Sequence, residues 1–336
     1  MTAVDTETDS VNQSPPDTSL AVPRVGPTAP DMAALQHPLD RQAIAQLRRV
    51  RGFEFFVSKF VEAGVERMDY ALSTASSLRV GPRQLPRLYG HLQEACTFFG
   101  VPEPELYVSA GGPSAVAAGP NHPYVVLGSG VVDMQDDEAR AIVVHEVGHI
   151  KAGHLLYKSM AGAIDFFGDV ANDLSIGFSR FVTAPIQAGL LTWERWSELT
   201  ADRAALLMVP DPMVSMRVLM KQAAGTSGGS DGLDVAAFVD QVRAYTVDIE
   251  QTMGDRVYRV GATLYRGRLP FTVQRAKALL EWYDSGALAQ VLAAGGAPGR
   301  TCPQCGHPVQ RGHGFCGECG FRLADPSPAA AGAGVI

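Results

Sequence analysis

Residues 145–149 read His-Glu-Val-Gly-His, and this stretch decides both the fold and the chemistry that the chain can have. Residues four apart share one face of a helix, so His145 and His149 can present imidazole nitrogens to a single metal ion. Glu146 lies beside them, where its carboxylate can act on a water molecule. The spacing therefore predicts a hydrolytic metal site on a helix.

The flanking sequence predicts that these five residues lie inside a helix. Asp136 and Asp137 offer an N-cap, and Glu138 falls in the first turn, where the helix dipole favours negative charge. Apolar residues then continue the helix at Ile142, Val143, Val144 and Ile150. A solvated helix face that carries the pattern by chance is the alternative, and this context argues against it.

A third metal ligand must come from elsewhere, because hydrolytic zinc sites use three protein ligands and leave a fourth position to water. His154 lies about 140° round the helix from His149, and we interpret it as a capping or surface residue. The segment Ser-Glu-Leu-Thr-Ala-Asp-Arg at 197–203 places Glu198 and Asp202 four residues apart. One carboxylate can bind the metal while the other accepts the free ring N–H of a histidine ligand, although a charged helix face is the alternative.

The segment from Pro123 to His154, together with residues 197–203, resembles the HtpX and CAAX-prenyl-endopeptidase family of gluzincin metallopeptidases. The resemblance extends over roughly residues 37–285, and we assign residues 32–285 to this domain. The stretches at 37–42 and 76–82 resemble soluble bacterial members of the family.

The resemblance implies a catalytic zinc on His145, His149 and Glu198, with Glu146 as the general base and Asp202 behind a histidine ligand. It also implies that an extended substrate peptide pairs with a sheet edge formed by Tyr124, Val125, Val126 and Leu127.

Two departures from the family pattern predict reduced turnover. Where relatives carry His-Pro-Phe, this chain has Leu269-Pro270-Phe271, and the family's oxyanion histidine is therefore replaced. Losing one oxyanion donor costs about a hundred- to a thousandfold in rate. Tyr265, Arg268 and the retained Arg275 are the candidates for oxyanion or substrate contacts. The second departure is Ser114-Ala115-Val116 in place of Asn-Ala-Phe.

The rest of the domain reads as α+β, mainly helical with a small sheet. Apolar residues recur at three- and four-residue intervals from 43 to 72, with a break near Gly52. Short strands are predicted at 106–108, 115–118 and 124–127. Further helices are predicted at 85–99, 194–209, 211–223, 234–252 and 271–283.

The N-terminal residues 1–31 are polar, acidic and rich in proline, and they predict a disordered segment without a secretory signal. We therefore expect a cytoplasmic protein. Between 155 and 193 the longest stretch without a charge is Phe181 to Trp193, which is shorter than the about 20 residues of a spanning helix. A peripheral membrane contact stays open, because four phenylalanines can line either a core or a membrane-facing patch: Phe166, Phe167, Phe178 and Phe181.

The C-terminal part carries a second metal motif. Residues 286–300 are rich in alanine, glycine and proline and predict a flexible linker. Residues 301–323 hold two Cys-x-x-Cys pairs, each followed by glycine, and resemble a zinc ribbon; residues 324–336 read as a disordered tail. Two disulfides are the alternative, and they require an oxidising compartment. The predicted ligands of this structural zinc are Cys302, Cys305, Cys316 and Cys319.

These features predict a zinc-dependent metalloendopeptidase acting on proteins or peptides, with the ribbon as a contact for a protein partner. A catalytically weak relative that binds peptides and regulates is the alternative that Leu269 supports. Nucleic-acid binding is disfavoured, because the chain has a net charge of −7 and the ribbon offers only scattered arginines.

Overall fold

The computed structural model describes residues 32–62, 64–161, 180–227, 232–245 and 271–295, with 300–301, 304 and 308–309 near the C-terminus. Helices dominate these ranges, and residues 155–161 are helical as well. The helices are α1 Met32–Leu35, α2 Pro38–Leu47, α3 Phe53–Glu62, α4 Val65–Ala75, α5 Pro86–Phe99, α6 Asp136–Lys151, α7 Arg180–Met208, α8 Pro212–Ala224, α9 Val235–Ala244, α10 Thr272–Asp284 and α11 Ala287–Gly295.

A small four-stranded sheet lies against these helices, as the sequence predicted. Its strands are β1 Leu78–Arg79, β2 Glu105–Ser109, β3 Ala115–Ala118 and β4 Tyr124–Gly128. They are ordered β1-β2-β4-β3; β2 and β4 are parallel and the other pairs are antiparallel. Near the C-terminus β5 Arg300–Thr301 pairs antiparallel with β6 Pro308–Val309.

The order of the strands corrects the prediction that Tyr124, Val125, Val126 and Leu127 form a sheet edge. These residues belong to β4, which pairs with β2 on one side and with β3 on the other. A continuous apolar run is typical of such an interior strand. The two edges of the sheet are β1 and β3, and the chain leaving β3 returns through residues 119–123 to form β4 beside it.

Helix α6 is the structural centre of the site, and its N-terminus differs slightly from the prediction. The N-cap is Gln135, whose backbone N–H donates to Glu138 at 3.2 Å, so Asp136 and Asp137 lie in the first turn. Glu138 is completely buried and accepts hydrogen bonds from Lys221 at 2.7 Å and from Arg217 at 3.3 Å, both in α8. This buried ion cluster ties the start of α6 to α8.

The core lies on both sides of α6 and α7. The main cluster packs α5, α6 and α8 against the sheet, while a second cluster joins α2, α3 and residues 155–161 to the first half of α7. Gly148 lets α6 and α7 approach closely, since a Cβ there would lie 2.8 Å from the Cβ of Ala204. The close approach brings the histidines of α6 next to the acidic residues of α7.

Several predicted helices are confirmed, including α5 and α10. The predicted helix break near Gly52 is confirmed too, and this glycine has φ +88°. α7 begins earlier than predicted, at Arg180. The prediction of a flexible linker at 286–300 is wrong for Ala287–Gly295, which form α11 and bury Leu288 in the core. None of the helices in the described ranges has both the length and the apolar character needed to cross a bilayer. The predicted disordered segment 1–31, residues 262–270 and the four ribbon cysteines lie outside the described residues.

Candidate metal centre

Three side chains from α6 and α7 converge on one point. His145 Nε2 lies 3.2 Å from Glu198 Oε2, and His149 Nε2 lies 3.2 Å from both His145 Nε2 and Glu198 Oε1. Ligands held tetrahedrally at zinc distances lie roughly 3.3–3.5 Å from one another. The three residues therefore match the size and the donor types of a zinc site, and together they could hold a metal ion.

Glu146 lies beside this cluster, and one of its carboxylate oxygens is free to accept a hydrogen bond. The residue is 3% exposed, and its Oε2 has no hydrogen-bond partner among the described residues. Burial raises the pKa of Glu146, while His145 and Lys158 partly oppose the rise. A buried carboxylate with a vacant acceptor and a raised pKa is suited to take a proton from water.

The two histidines differ in their electrostatic surroundings. Burial lowers the pKa of His145, but hydrogen bonds with Asp202 and Glu198 outweigh it and raise the pKa to about 9. Burial and the nearby charge of Lys158 both lower the pKa of His149, which lies well below its usual value. A metal ion bound at His145 Nε2 must therefore displace a proton.

Asp202 lies directly behind His145. Its Oδ1 is 3.1 Å from His145 Nδ1, so the ring can donate to the carboxylate and turn Nε2 toward the metal position. Arg275 from α10 donates to the same carboxylate through Nε at 2.8 Å and Nη2 at 2.6 Å. Burial raises the pKa of Asp202, yet Arg275 and His145 together lower it to about 2.

The structure adds contacts to the role predicted for Arg275. Its expected oxyanion or substrate contact stays a prediction, while two of its nitrogens bind Asp202 and the third, Nη1, lies 3.4 Å from Glu198 Oε2. The buried guanidinium thus fixes the two carboxylates of α7. Sequence spacing could not show this, because Arg275 lies 73 residues from Asp202.

His154 is also placed differently from the prediction of a capping or surface residue. It is 3% exposed, and its Nδ1 lies 2.9 Å from His149 Nδ1. Its Nε2 lies 3.2 Å from Oδ2 of Asp40, a buried aspartate of α2 that the sequence analysis missed. The helix around His149 ends at Lys151 and a turn with Gly153 in positive φ follows, so the 140° offset of a continuous helix does not apply.

Lys158 is the second residue that the sequence analysis missed. Its Nζ lies 2.9 Å from Glu198 Oε1 and 3.3 Å from His149 Nε2, on the atoms that would bind the metal. Burial lowers the pKa of Lys158, but Glu198 and Glu146 outweigh it and raise the pKa. No pattern around Lys158 in the sequence indicates this contact.

A cavity of about 590 Å³ opens at the cluster. The loop before β3 and the first residues of β3 form one wall, and α8 forms another. Val116 on this edge strand is 45% exposed. By contrast, Tyr124, Val125 and Leu127 of β4 are buried in the core. Tyr265, Arg268 and Leu269, which we predicted to bear on the oxyanion, lie outside the described residues.

A helix that carries His-Glu-x-x-His, joined by a glutamate from a second helix, defines a metallopeptidase site. The model of Peptidase family M48 matches residues 82–283, and the chain belongs to this family. It is a metallopeptidase that hydrolyses peptide bonds.

Among its relatives, the plastoglobule-localized metallopeptidase 48 of Arabidopsis thaliana is 30% identical over 265 residues, which are 76% of this chain and 74% of the relative. A protease HtpX homolog of Sulfurihydrogenibium sp. is 28% identical over 45% of this chain and 60% of its own length. Another, from Desulfatibacillum aliphaticivorans, is 28% identical over 43% of this chain and 56% of its own. No solved structure is significantly similar to the chain.

Proposed function

We propose that the chain is a zinc-dependent metalloendopeptidase whose zinc is held by His145, His149 and Glu198. The observation that carries the proposal is the convergence of these three ligand atoms beside the unpartnered Oε2 of Glu146. A site built only to bind peptides has no need of a buried acceptor at this position. The retained Glu146 therefore favours hydrolysis over the binding-only alternative.

The residues of the chain perform the proton transfers. Zinc, when bound, polarises the scissile carbonyl and lowers the pKa of a coordinated water. Glu146 accepts the proton of the attacking water at Oε2 and passes it to the leaving amine. Asp202 holds His145 in the tautomer that has its Nε2 lone pair free.

An extended substrate would pair with β3, which lines the cavity and has no strand on its outer side among the described residues. Backbone pairing with a sheet edge gives affinity without selecting a sequence. The opposite wall adds selectivity, because it favours a small or apolar substrate side chain through five residues: Ala141, Ile142, Ala205, Val218 and Leu219.

The test compares the wild type with Glu146→Gln on a mixed peptide library, with zinc content measured in parallel. We expect Glu146→Gln to keep its zinc and to lose hydrolysis. The matched control is Glu94→Gln, which removes a surface partner of Arg140 and should cleave like the wild type. Equal cleavage by the wild type and Glu146→Gln would refute the assignment.

A second zinc on Cys302, Cys305, Cys316 and Cys319 stays a prediction, as do the ribbon as a contact for a protein partner and a cytoplasmic location with peripheral membrane contact. Two metal sites require two zinc ions per full-length chain. Glu198→Ala should remove one of them, and Cys302→Ser with Cys305→Ser should remove the other. A full-length chain that loses all its zinc with Glu198→Ala would contradict the ribbon site.

A further inference from the structure

Asp40 is a buried carboxylate held by several donors. Its Oδ1 accepts from Trp193 Nε1 at 2.9 Å, and its Oδ2 accepts from Thr200 Oγ1 at 2.8 Å and from Gln36 Nε2 at 3.2 Å. Thr200 accepts from the backbone N–H of His37 at 3.0 Å, so its own proton is free to point at Asp40. These contacts fix the position and the charge of Asp40 deep in the molecule.

The carboxylate also determines where the protons of two histidines lie. An ionised carboxylate only accepts, so His154 must carry its proton on Nε2, 3.2 Å from Asp40 Oδ2. In this tautomer the Nδ1 of His154 has a free lone pair and accepts from His149 Nδ1, 2.9 Å away. His149 is thereby left with an unprotonated Nε2, the atom that faces His145 and Glu198.

We propose that Asp40 and His154 are positioning residues that hold His149 in its metal-binding tautomer and orientation. The inference rests on the proposed function, because it takes His149 as a zinc ligand. Free ring nitrogens of metal-bound histidines commonly donate to a carboxylate or carbonyl. Here a second histidine stands between the ligand and the carboxylate.

The arrangement makes the first turn of α2 part of the metal centre. Asp40 lies outside residues 82–283, the segment that matches the family model. Trp193 and Thr200, which hold Asp40, are on α7, the helix that supplies Glu198. The Trp193 ring also stands edge-on to the His154 ring at 5.4 Å and 87°, which restrains the plane of the imidazole. Helix α7 thus supplies the metal ligand Glu198 and also Trp193 and Thr200, which hold Asp40 in place behind the ligand His149.

The test replaces Asp40 by asparagine in the full-length chain. The side-chain amide of Asp40→Asn can donate to His154 Nε2, which would reverse both hydrogen bonds and place a proton on His149 Nε2. We expect zinc affinity, measured by chelator competition, to fall about 10- to 100-fold. The absorption spectrum of the cobalt-substituted protein should change as well, which a loss of stability alone would not cause.

The matched control is Asp136→Asn. It makes the same change at another histidine–aspartate contact, His91 Nε2 to Asp136 Oδ1 at 3.0 Å, at the opposite end of α6. Zinc affinity and the cobalt spectrum should equal those of the wild type. An unchanged zinc affinity in Asp40→Asn would overturn the inference. A wild type that binds no zinc at His145, His149 and Glu198 would instead overturn the proposed function.

A measurement on the wild type covers the case in which Asp40→Asn fails to fold. Long-range proton–nitrogen NMR spectra of the zinc-loaded protein distinguish protonated from unprotonated ring nitrogens. We expect a protonated Nδ1 on His149 and an unprotonated Nδ1 on His154. A protonated His154 Nδ1 would overturn the inference without any variant.

Discussion

The two histidines of the metal centre are supported by different parts of the molecule. His145 contacts Asp202 of α7 directly, and Asp202 is paired with the buried Arg275 of α10. His149 contacts Asp40 of α2 only through His154. One support is a compact ion pair, and the other is a chain of hydrogen bonds with an aromatic neighbour.

Because the two supports differ, substitutions in them should destabilise the protein to different degrees. Removing one member of a buried ion pair leaves an uncompensated charge, which is severely destabilising. The donors around Asp40 at Trp193, Thr200 and Gln36 are neutral, so losing any one of them costs a single hydrogen bond. We therefore expect the His145 side to respond sharply to substitution and the His149 side to respond in small steps.

Replacing Asp202 by leucine should have the largest effect. Arg275 would retain only Glu198, so we expect unfolding to become easier by about 3–5 kcal/mol in urea titrations. The double variant with Arg275→Met removes both charges and should recover part of the loss without recovering zinc binding. A double variant no more stable than Asp202→Leu would show that the charge of Arg275 is not the cause.

Gly148→Ala should separate α6 from α7 on the His145 side. The new Cβ would meet Ala204 Cβ at 2.8 Å and could be accommodated only by moving a helix. We expect a loss of about 1–3 kcal/mol in the free energy of unfolding. Gly90→Ala in α5 is the control: nothing lies within 4 Å, so it should stabilise by about 0.5–1 kcal/mol. Equal effects of the two substitutions would contradict close packing at Gly148.

Trp193→Phe should weaken the His149 side moderately. It removes one hydrogen bond to the carboxylate of Asp40 and leaves the contact with His154 in place. Since hydrogen bonds to charged groups contribute about 1.5–3 kcal/mol, we expect a loss near the lower value. Trp282→Phe, at an indole that stacks on Arg203, should cost less in the same thermal unfolding measurement. The reverse order would argue against a strong bond from Trp193.

Gly189→Ala should have the smallest effect. The new Cβ in α7 would meet only the side chain of Leu47 in α2, with Cδ1 at 2.7 Å and Cγ at 3.9 Å. The nearer atom, Cδ1, is the end of a side chain that can rotate, and alanine favours the helix. We expect a net change below about 1 kcal/mol. A loss as large as that of Gly148→Ala would mean that α2 is packed as rigidly as α6.

The parts of the site that follow from short-range spacing could be predicted from the sequence. His145, Glu146 and His149 lie within one and a half turns of a helix, and the Glu198–Asp202 pair repeats the same four-residue spacing. The small sheet and the helix break at Gly52 also follow from local apolar patterns and from glycine. These features depend on the backbone period alone.

The other parts depend on how distant segments pack. Asp40 lies 114 residues from His154, and Arg275 lies 73 from Asp202, so no local pattern connects them. The apolar run of β4 predicted a strand but could not show which neighbours it pairs with. His154 was misjudged because a continuous helix was assumed, whereas the chain turns at Gly153 before it.

The dispersal of the site along the chain has a consequence for protein synthesis. Arg275, which holds the carboxylates of α7, follows His149 by 126 residues. A ribosome that adds about 5–20 residues per second needs roughly 6–25 s to cover that interval. During this time the growing polypeptide already carries its His-Glu-x-x-His segment but not the arginine that completes its surroundings. The ion pairs that surround the metal centre are therefore complete only after nearly all of the domain has been translated.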